Sequence, residues 1–482
     1  YRTLSAFVRF VMDVFFREVA VEGKEHVPAD RGGLLVAWHP NGLIDPALIL
    51  AHFPGRIVFG ARDGLLRWPI IGWMMRIIGT VPIYRASDKT ALSEEERSEA
   101  NRRSLGALAK ELNDGSFSAL FPEGLSHDNP HLSPLKTGAA RLYYLARELN
   151  QTDKPPVIIP VGLHYDRKHI FRSSVLVTFH EPMELPAELD IDPNASESEQ
   201  AQRDRVEQLT EGIEKTLIKV VRATDGWELH RLMHRARTLI RAEHEARFGT
   251  PLDQSSVINR NLLFAQIWHG YQARRASHPE AIERLRHIVD RYDRILKTLR
   301  LSDEHLDTDS KLTSPIYFVL VLLRAFAVYV LLPPFLAFGF VVNAPVHFLI
   351  KWAARRYSTA DKDTATVKIL AGFVLYPLAW LVAAVLAILL HDRLHLLFPA
   401  IPDTPVLIGL LTLALAIVSG ILVLNYSLLE KRTRDALRTR LTRRQRRTSV
   451  ERLLKLRAEI FDQLMALKEG LALPDNVTDV LD

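Results

Sequence analysis

The sequence predicts an α/β domain followed by an all-α region and C-terminal transmembrane helices, and three observations carry that reading. Short apolar runs alternate with helical patterns from Gly33 to about Pro186, as strands and helices do in α/β domains. From about Asn194 to Ser314 the chain is densely charged, with leucine and isoleucine at intervals of three and four. From Ile316 to Leu429 long apolar runs dominate. One chain thus carries aqueous and membrane-embedded parts.

At roughly 150 residues per domain, 482 residues make about three structural units. Hydrophobic residues at 48% and charged residues at 24% exclude a collagen-like or wholly disordered chain. Cysteine does not occur, which excludes disulfides, thiolate zinc sites and a cysteine nucleophile. A formal charge of +6 suits nucleic acid, anionic lipid or phosphorylated substrates, so its placement must decide. From Lys431 to Arg447 there are nine basic residues against one acid, directly after an apolar span. That position favours membrane lipids as partner over nucleic acid.

In residues 1–19, Leu4, Phe7, Val8, Val11, Met12, Phe15 and Phe16 recur at helical spacing, while Arg2, Arg9, Asp13 and Arg17 take the polar positions. The aromatic residues beside arginine predict a helix in the membrane interface. No signal-peptide pattern is present in this segment. In residues 20–190, the α/β domain, strands are expected at 34–38, 56–61, 81–84, 118–121, 157–162 and 174–179. The intervening segment 65–79 is too apolar for a surface helix and too short to span, so it is either buried or dips into the bilayer. Residues 191–315 form a helical accessory region whose Arg and Glu read as solvated faces.

The membrane section covers 316–429. Residues 369–390 and 404–429 are uncharged runs of 22 and 26 residues, each long enough to cross. Residues 316–350 are interrupted by Arg324, Pro333, Pro334 and Pro345, and predict a broken hairpin that enters and leaves on one face. The loop 351–368 and the tail helix of 430–482 are basic, which predicts a cytoplasmic location for both; with the hairpin the α/β domain is cytoplasmic too, whereas a single crossing at 316–350 would put it outside.

Four blocks in the α/β domain carry chemistry. In HPNGLIDP, His39 follows an expected strand and Asp45 lies six positions on, placed to cap a helix with Pro46 at its first turn. A neutral imidazole takes a hydroxyl proton, and a nearby carboxylate fixes its tautomer and stabilises the imidazolium. Read alone, the pair also fits a helix cap beside an ordinary loop histidine. GTVPIYR ends at Arg85, whose planar fork suits a phosphate. In FPEGLSH, Glu123 would repel an anion and suits hydroxyls or a partner side chain, while Gly124 lets a ligand approach the backbone; downstream, Lys136 opens a helix whose dipole favours anions. VIIPVG reads as a core strand, with shaping of an acyl pocket as a weaker second reading.

In this order the four blocks resemble those of the glycerophosphate acyltransferase superfamily, over about residues 20 to 185. The family's commonest spacing has four residues between the His and the Asp, and this chain has five. That spacing is similar to the subgroup acting on glycerol 3-phosphate or dihydroxyacetone phosphate with a C-terminal membrane section. The resemblance implies a central mixed sheet flanked by helices, and transfer of a fatty acyl group from acyl-CoA to the sn-1 hydroxyl of a phosphorylated three-carbon acceptor. It implies His39 as general base, Asp45 as its orienting partner, Arg85 and Lys136 on the acceptor phosphate, and Glu123 and Gly124 shaping the acceptor site. No metal or other cofactor is implied, and acyl-CoA serves as co-substrate. Acylation of lysophosphatidate or another lysophospholipid, thioester hydrolysis with water at His39, and an idle lipid-binding scaffold remain as alternatives. A transporter would need intramembrane acids or paired charges that the apolar spans lack.

Overall fold

A computed structural model of the chain describes residues 1–84, 93–189, 198–249, 256–303, 306, 315–358, 360–400 and 402–470. The described residues divide into two compact units: 1–230 with 254–261 and 359–366, and 231–253 with 262–358 and 367–482.

The first unit is built on a seven-stranded mixed sheet. Its elements run α1 (Arg2–Phe15), β1 (Glu18–Glu22), β2 (Gly33–Ala37), α2 (Ile44–His52), β3 (Ile57–Arg62), α3 (Asp63–Leu66), α4 (Pro69–Ile78), β4 (Val81–Ile83), α5 (Glu94–Asn113), β5 (Phe117–Leu120), α6 (Gly138–Leu149), β6 (Val157–Tyr165), β7 (Ser174–Phe179) and α7 (Glu199–Val221). The strand order is β1-β7-β6-β2-β5-β3-β4. Every neighbouring pair is parallel except β6 with β7. Central β2 is buried throughout, as a parallel strand covered on both faces must be, which is why it reads as an unbroken apolar run. The core joins Leu34, Val36 and Val58 of the sheet to Leu108, Leu112, Leu142 and Tyr143 of α5 and α6.

The sheet is the expected mixed sheet, with one strand more than expected. EVAVE forms β1 by pairing with β7, Glu18 opposite Ser174. Its glutamates hide it in a propensity reading. The helix expected over residues 1–19 forms as α1: Val8, Met12, Phe15 and the adjacent Phe16 are buried, and α1 is tied to α2 by Ser5 Oγ and Arg9 Nε donating to the carbonyls of Leu50 and Ala51. Phe7, Phe10 and Val14 alone form the exposed apolar face. In 65–79, α4 buries Gly72 and Ile78 and exposes Ile70, Trp73 and Ile77.

The second unit is helical. Residues 231–248 of α8 (Trp227–Phe248) and 262–274 of α9 (Val257–Arg274) lie in it, followed by α10 (Pro279–Leu299). Then come α11 (Pro315–Phe326), α12 (Leu332–Tyr357), α13 (Asp361–Leu389), α14 (His391–Leu397), α15 (Pro405–Gln445) and α16 (Arg447–Lys468). Among the described residues, three helices are long and apolar enough to cross a membrane: Phe318–Tyr357, Asp361–Leu389 and Pro405–Arg440.

The broken hairpin expected at 316–350 is therefore not formed. A π-helical turn at Ala327–Leu331 joins α11 to α12 without a reversal of direction, and Pro333 and Pro334 fall in the first turn of α12. Because the helix continues through this point, the prolines do remove helical donors, and the Val328 carbonyl accepts the Tyr426 hydroxyl at 3.1 Å instead. The continuous rod runs antiparallel to α15: Arg440 sits over Phe318, the Tyr329 hydroxyl donates to Glu430, and Asn343 donates to the carbonyl of Ala416. Asn343 also donates to Gly339 and accepts from Trp380 Nε1, so its amide is satisfied inside the helical unit.

Candidate active site

The site lies at the carboxyl ends of three adjacent parallel strands, β5, β2 and β6, where loops of open α/β sheets gather ligands. Each strand ends in one functional block. β2 runs into His39, β5 into Phe121 and Glu123, and β6 ends on Tyr165.

His39 and Asp45 meet as expected. His39 Nδ1 lies 2.9 Å from Asp45 Oδ2, and the Asp45 side chain is fully buried. Helix α2 starts at Ile44, so Asp45 sits inside its first turn rather than at the cap, and the carboxylate turns back to accept the Asn41 N–H at 2.7 Å. Its other oxygen accepts the Tyr165 hydroxyl at 2.5 Å. A carboxylate so engaged accepts a hydrogen bond from Nδ1–H, which keeps the proton on Nδ1 and leaves the lone pair on Nε2. The ring stacks on Phe121, centroids 4.0 Å apart and 17° between planes, which fixes its orientation. His39 Nε2 has no hydrogen-bond partner among the described residues, and the side chain is 18% exposed. A fixed imidazole with one free, accessible lone pair is a base awaiting a proton.

Of the two roles expected for Glu123, the described contacts are those with protein partners. Glu123 is buried, and its carboxylate accepts the N–H of Ser133 at 2.7 Å, the N–H of His39 at 3.3 Å, and pairs with His127 Nε2. It joins the two loops instead of facing an opening. Gly124 has φ +73°, a left-handed conformation that favours glycine, and lies beside Lys136. The Lys136 N–H donates to the Pro122 carbonyl at 2.7 Å, which brings this exposed lysine onto the FPEG loop. Its ammonium has no partner among the described residues. Lys136 precedes α6 by two positions, so the helix dipole adds to its charge. Arg85 lies outside the described residues.

Sequence reasoning missed four residues. Tyr165 holds the second oxygen of Asp45, and its hydroxyl is held protonated well above the usual range by burial and then by the Asp45 charge. His127 stood in the quoted FPEGLSH block without a role; its N–H donates to the His39 carbonyl at 3.2 Å. Asn41 reaches the Lys168 carbonyl at 3.1 Å, and Lys168 Nζ bridges the Pro40 carbonyl and Asp128. Tyr165 and Lys168 follow β6, and nothing local marks them.

Among the described residues no cluster of three His, Asp or Glu side chains offers a metal site. Residues 18–164 match the model of the Acyltransferase family. The chain is 29% identical to glycerol-3-phosphate O-acyltransferase 1 of Saccharomyces cerevisiae over 53% of this chain and 32% of that protein. It is 27% identical to glycerol-3-phosphate O-acyltransferase 2 of the same yeast, over 57% of this chain and 37% of that protein. It thus spans about a third of the length of these relatives. Among solved structures, the 1-acyl-sn-glycerophosphate acyltransferase PlsC of Thermotoga maritima matches with 23% identity and a TM-score of 0.31, over 45% of this chain and 78% of that one.

Proposed function

We propose that this protein is a membrane-bound acyltransferase that moves a fatty acyl group from acyl-CoA to the sn-1 hydroxyl of glycerol 3-phosphate or dihydroxyacetone phosphate. The observation that carries the reading is the free Nε2 of an imidazole whose Nδ1 is tied to a buried carboxylate. In this scheme Nε2 takes the acceptor hydroxyl proton as the oxygen attacks the thioester carbonyl. The C–S bond then breaks, and the imidazolium returns its proton to the departing thiolate. Asp45 stabilises the imidazolium without being protonated. The chemistry requires no metal or cofactor. Lys136, and Arg85 by its sequence position, would hold the acceptor phosphate.

The phosphorylated acceptor is supported by the names of the two yeast relatives. The cytoplasmic face is proposed from the donor and not from loop charge: with one continuous helix over Phe318–Tyr357 in place of the hairpin, the positive-inside rule no longer carries the α/β domain to the side of the basic 351–368 loop. Acyl-CoA, a charged donor, is found on that face. The test is incubation of the protein in detergent with labelled acyl-CoA and, separately, glycerol 3-phosphate, dihydroxyacetone phosphate and lysophosphatidate. Product from either of the first two is expected. Product from lysophosphatidate alone would assign the alternative acceptor, and free fatty acid alone would make the protein a thioesterase.

A further inference from the structure

Lys362, in the first turn of α13, lies far outside the segment that matches the acyltransferase family. Its Nζ donates to the Ser126 carbonyl at 2.5 Å, and its N–H donates to Asp128 Oδ2 at 3.2 Å. These two contacts bracket His127, whose N–H holds the His39 carbonyl and whose ring pairs with Glu123. Glu123 in turn accepts the N–H of His39. Both backbone groups of His39 are thus held by a loop that Lys362 fixes on either side of its central residue.

The same turn meets the catalytic loop directly. A Cβ on Gly42 would stand 3.1 Å from the Lys362 carbonyl oxygen and 3.3 Å from Thr366 Oγ1, so glycine is what allows the approach. Gly42 also has φ +43°. On the opposite side Lys168 binds the other oxygen of Asp128 at 2.5 Å and the Pro40 carbonyl at 2.9 Å. Asp128 is the hub: one carboxylate oxygen goes to the β6–β7 loop, the other to the turn that precedes an apolar, membrane-length helix.

We propose that Lys362 is a positioning residue for His39, and that the first turn of α13 is a structural part of the active site. The proposal rests on the acyl-transfer reading for its kinetic consequence and on geometry alone for its structural one. A residue that acts through His127 and Glu123 changes where the base sits and how rigidly, not how tightly substrates are held, so kcat carries the effect.

Two readouts test this on the full chain in lipid nanodiscs. In Lys362→Ala, amide exchange at Asn41 and His127 is expected to accelerate about tenfold, while exchange in β6 and β7 stays at the parent rate. In acyl transfer, kcat is expected to fall about tenfold with both KM values within about twofold of the parent, and Lys362→Arg to restore both readouts. Asp128→Asn, which keeps the side-chain shape and weakens both anchors, should reproduce the exchange pattern. Parent exchange rates at Asn41 and His127 in both Lys362→Ala and Asp128→Asn would overturn the proposal, whatever the activity. The exchange change with no acyl transfer in the parent protein would uphold the positioning role and remove the acyltransferase reading.

Discussion

Two networks of charged side chains, one in each unit, use the same interactions to opposite ends. In the helical unit Arg457 is buried against Glu243, which also binds Arg247, and Arg235 binds both Asp293 and Asp303. The Tyr292 hydroxyl closes the set on Asp303 at 2.6 Å. Burial pushes the Asp303 carboxyl up, but the Arg235 ion pair and hydrogen bond outweigh it and hold it below its ordinary range. Each of these charges spends its capacity inside the protein, which pins α8 to α10 and α16. In the α/β unit the buried Asp45 is just as fully engaged, by His39, Asn41 and Tyr165. The group it serves is not. His39 keeps one nitrogen unpaired at the end of a chain of satisfied bonds, and the contrast locates reactivity: a saturated network stabilises, while one with a single open valence is prepared to react.

The largest effect that would break the comparison belongs to Asp45. Asp45→Asn keeps the shape but can present an amide N–H to Nδ1, favouring the wrong tautomer. A fall in kcat of roughly 10² to 10⁴ is expected with the unfolding transition near that of the parent. A loss of folding equal to the loss of activity would make Asp45 a structural cap.

Arg457→Ala should do the reverse. Removing one partner of a buried ion pair costs about 3 kcal/mol or more, so the denaturation midpoint falls while kcat per folded molecule is kept. A changed kcat at unchanged stability would dissolve the distinction between the networks.

A smaller effect separates the units by pH. Burial pushes His52 and His180 down to about 4. Below the unfolded value near 6.5 the unfolded chain binds more protons than the folded one, so their contribution to stability is present above pH 6.5 and lost as pH falls toward 4. The Arg235–Asp303 network keeps its charges through that window. Protection factors at β7, each referred to the intrinsic exchange rate at that pH, should therefore fall between pH 7 and pH 5 more than those at α10. An equal fall would show that these histidines are not buried in their neutral form.

How much of this was legible in the sequence follows from how far each contact reaches along the chain. The His39 and Asp45 pair, six residues apart, was read correctly because one loop brings it together. The six apolar strands were read from their own runs. β1 was not, since EVAVE becomes a strand only through pairing with residues 174–178. Pro333 and Pro334 were read as breaks because their place in a first turn depends on the π turn before them. Glu123 was read as serving hydroxyls or a partner side chain, but which partners could not be told, because all three lie on loops whose approach no local pattern announces. Tyr165 and Lys362 were invisible for the same reason.

The most direct test of the central claim replaces the base itself. With labelled acyl-CoA and glycerol 3-phosphate, His39→Ala should lose roughly 10² to 10⁴ in kcat while its unfolding transition stays near the parent's, since the ring is partly exposed and no hydrogen bond to Nε2 is lost. Turnover within about threefold of the parent would remove His39 from the chemistry and contradict the account.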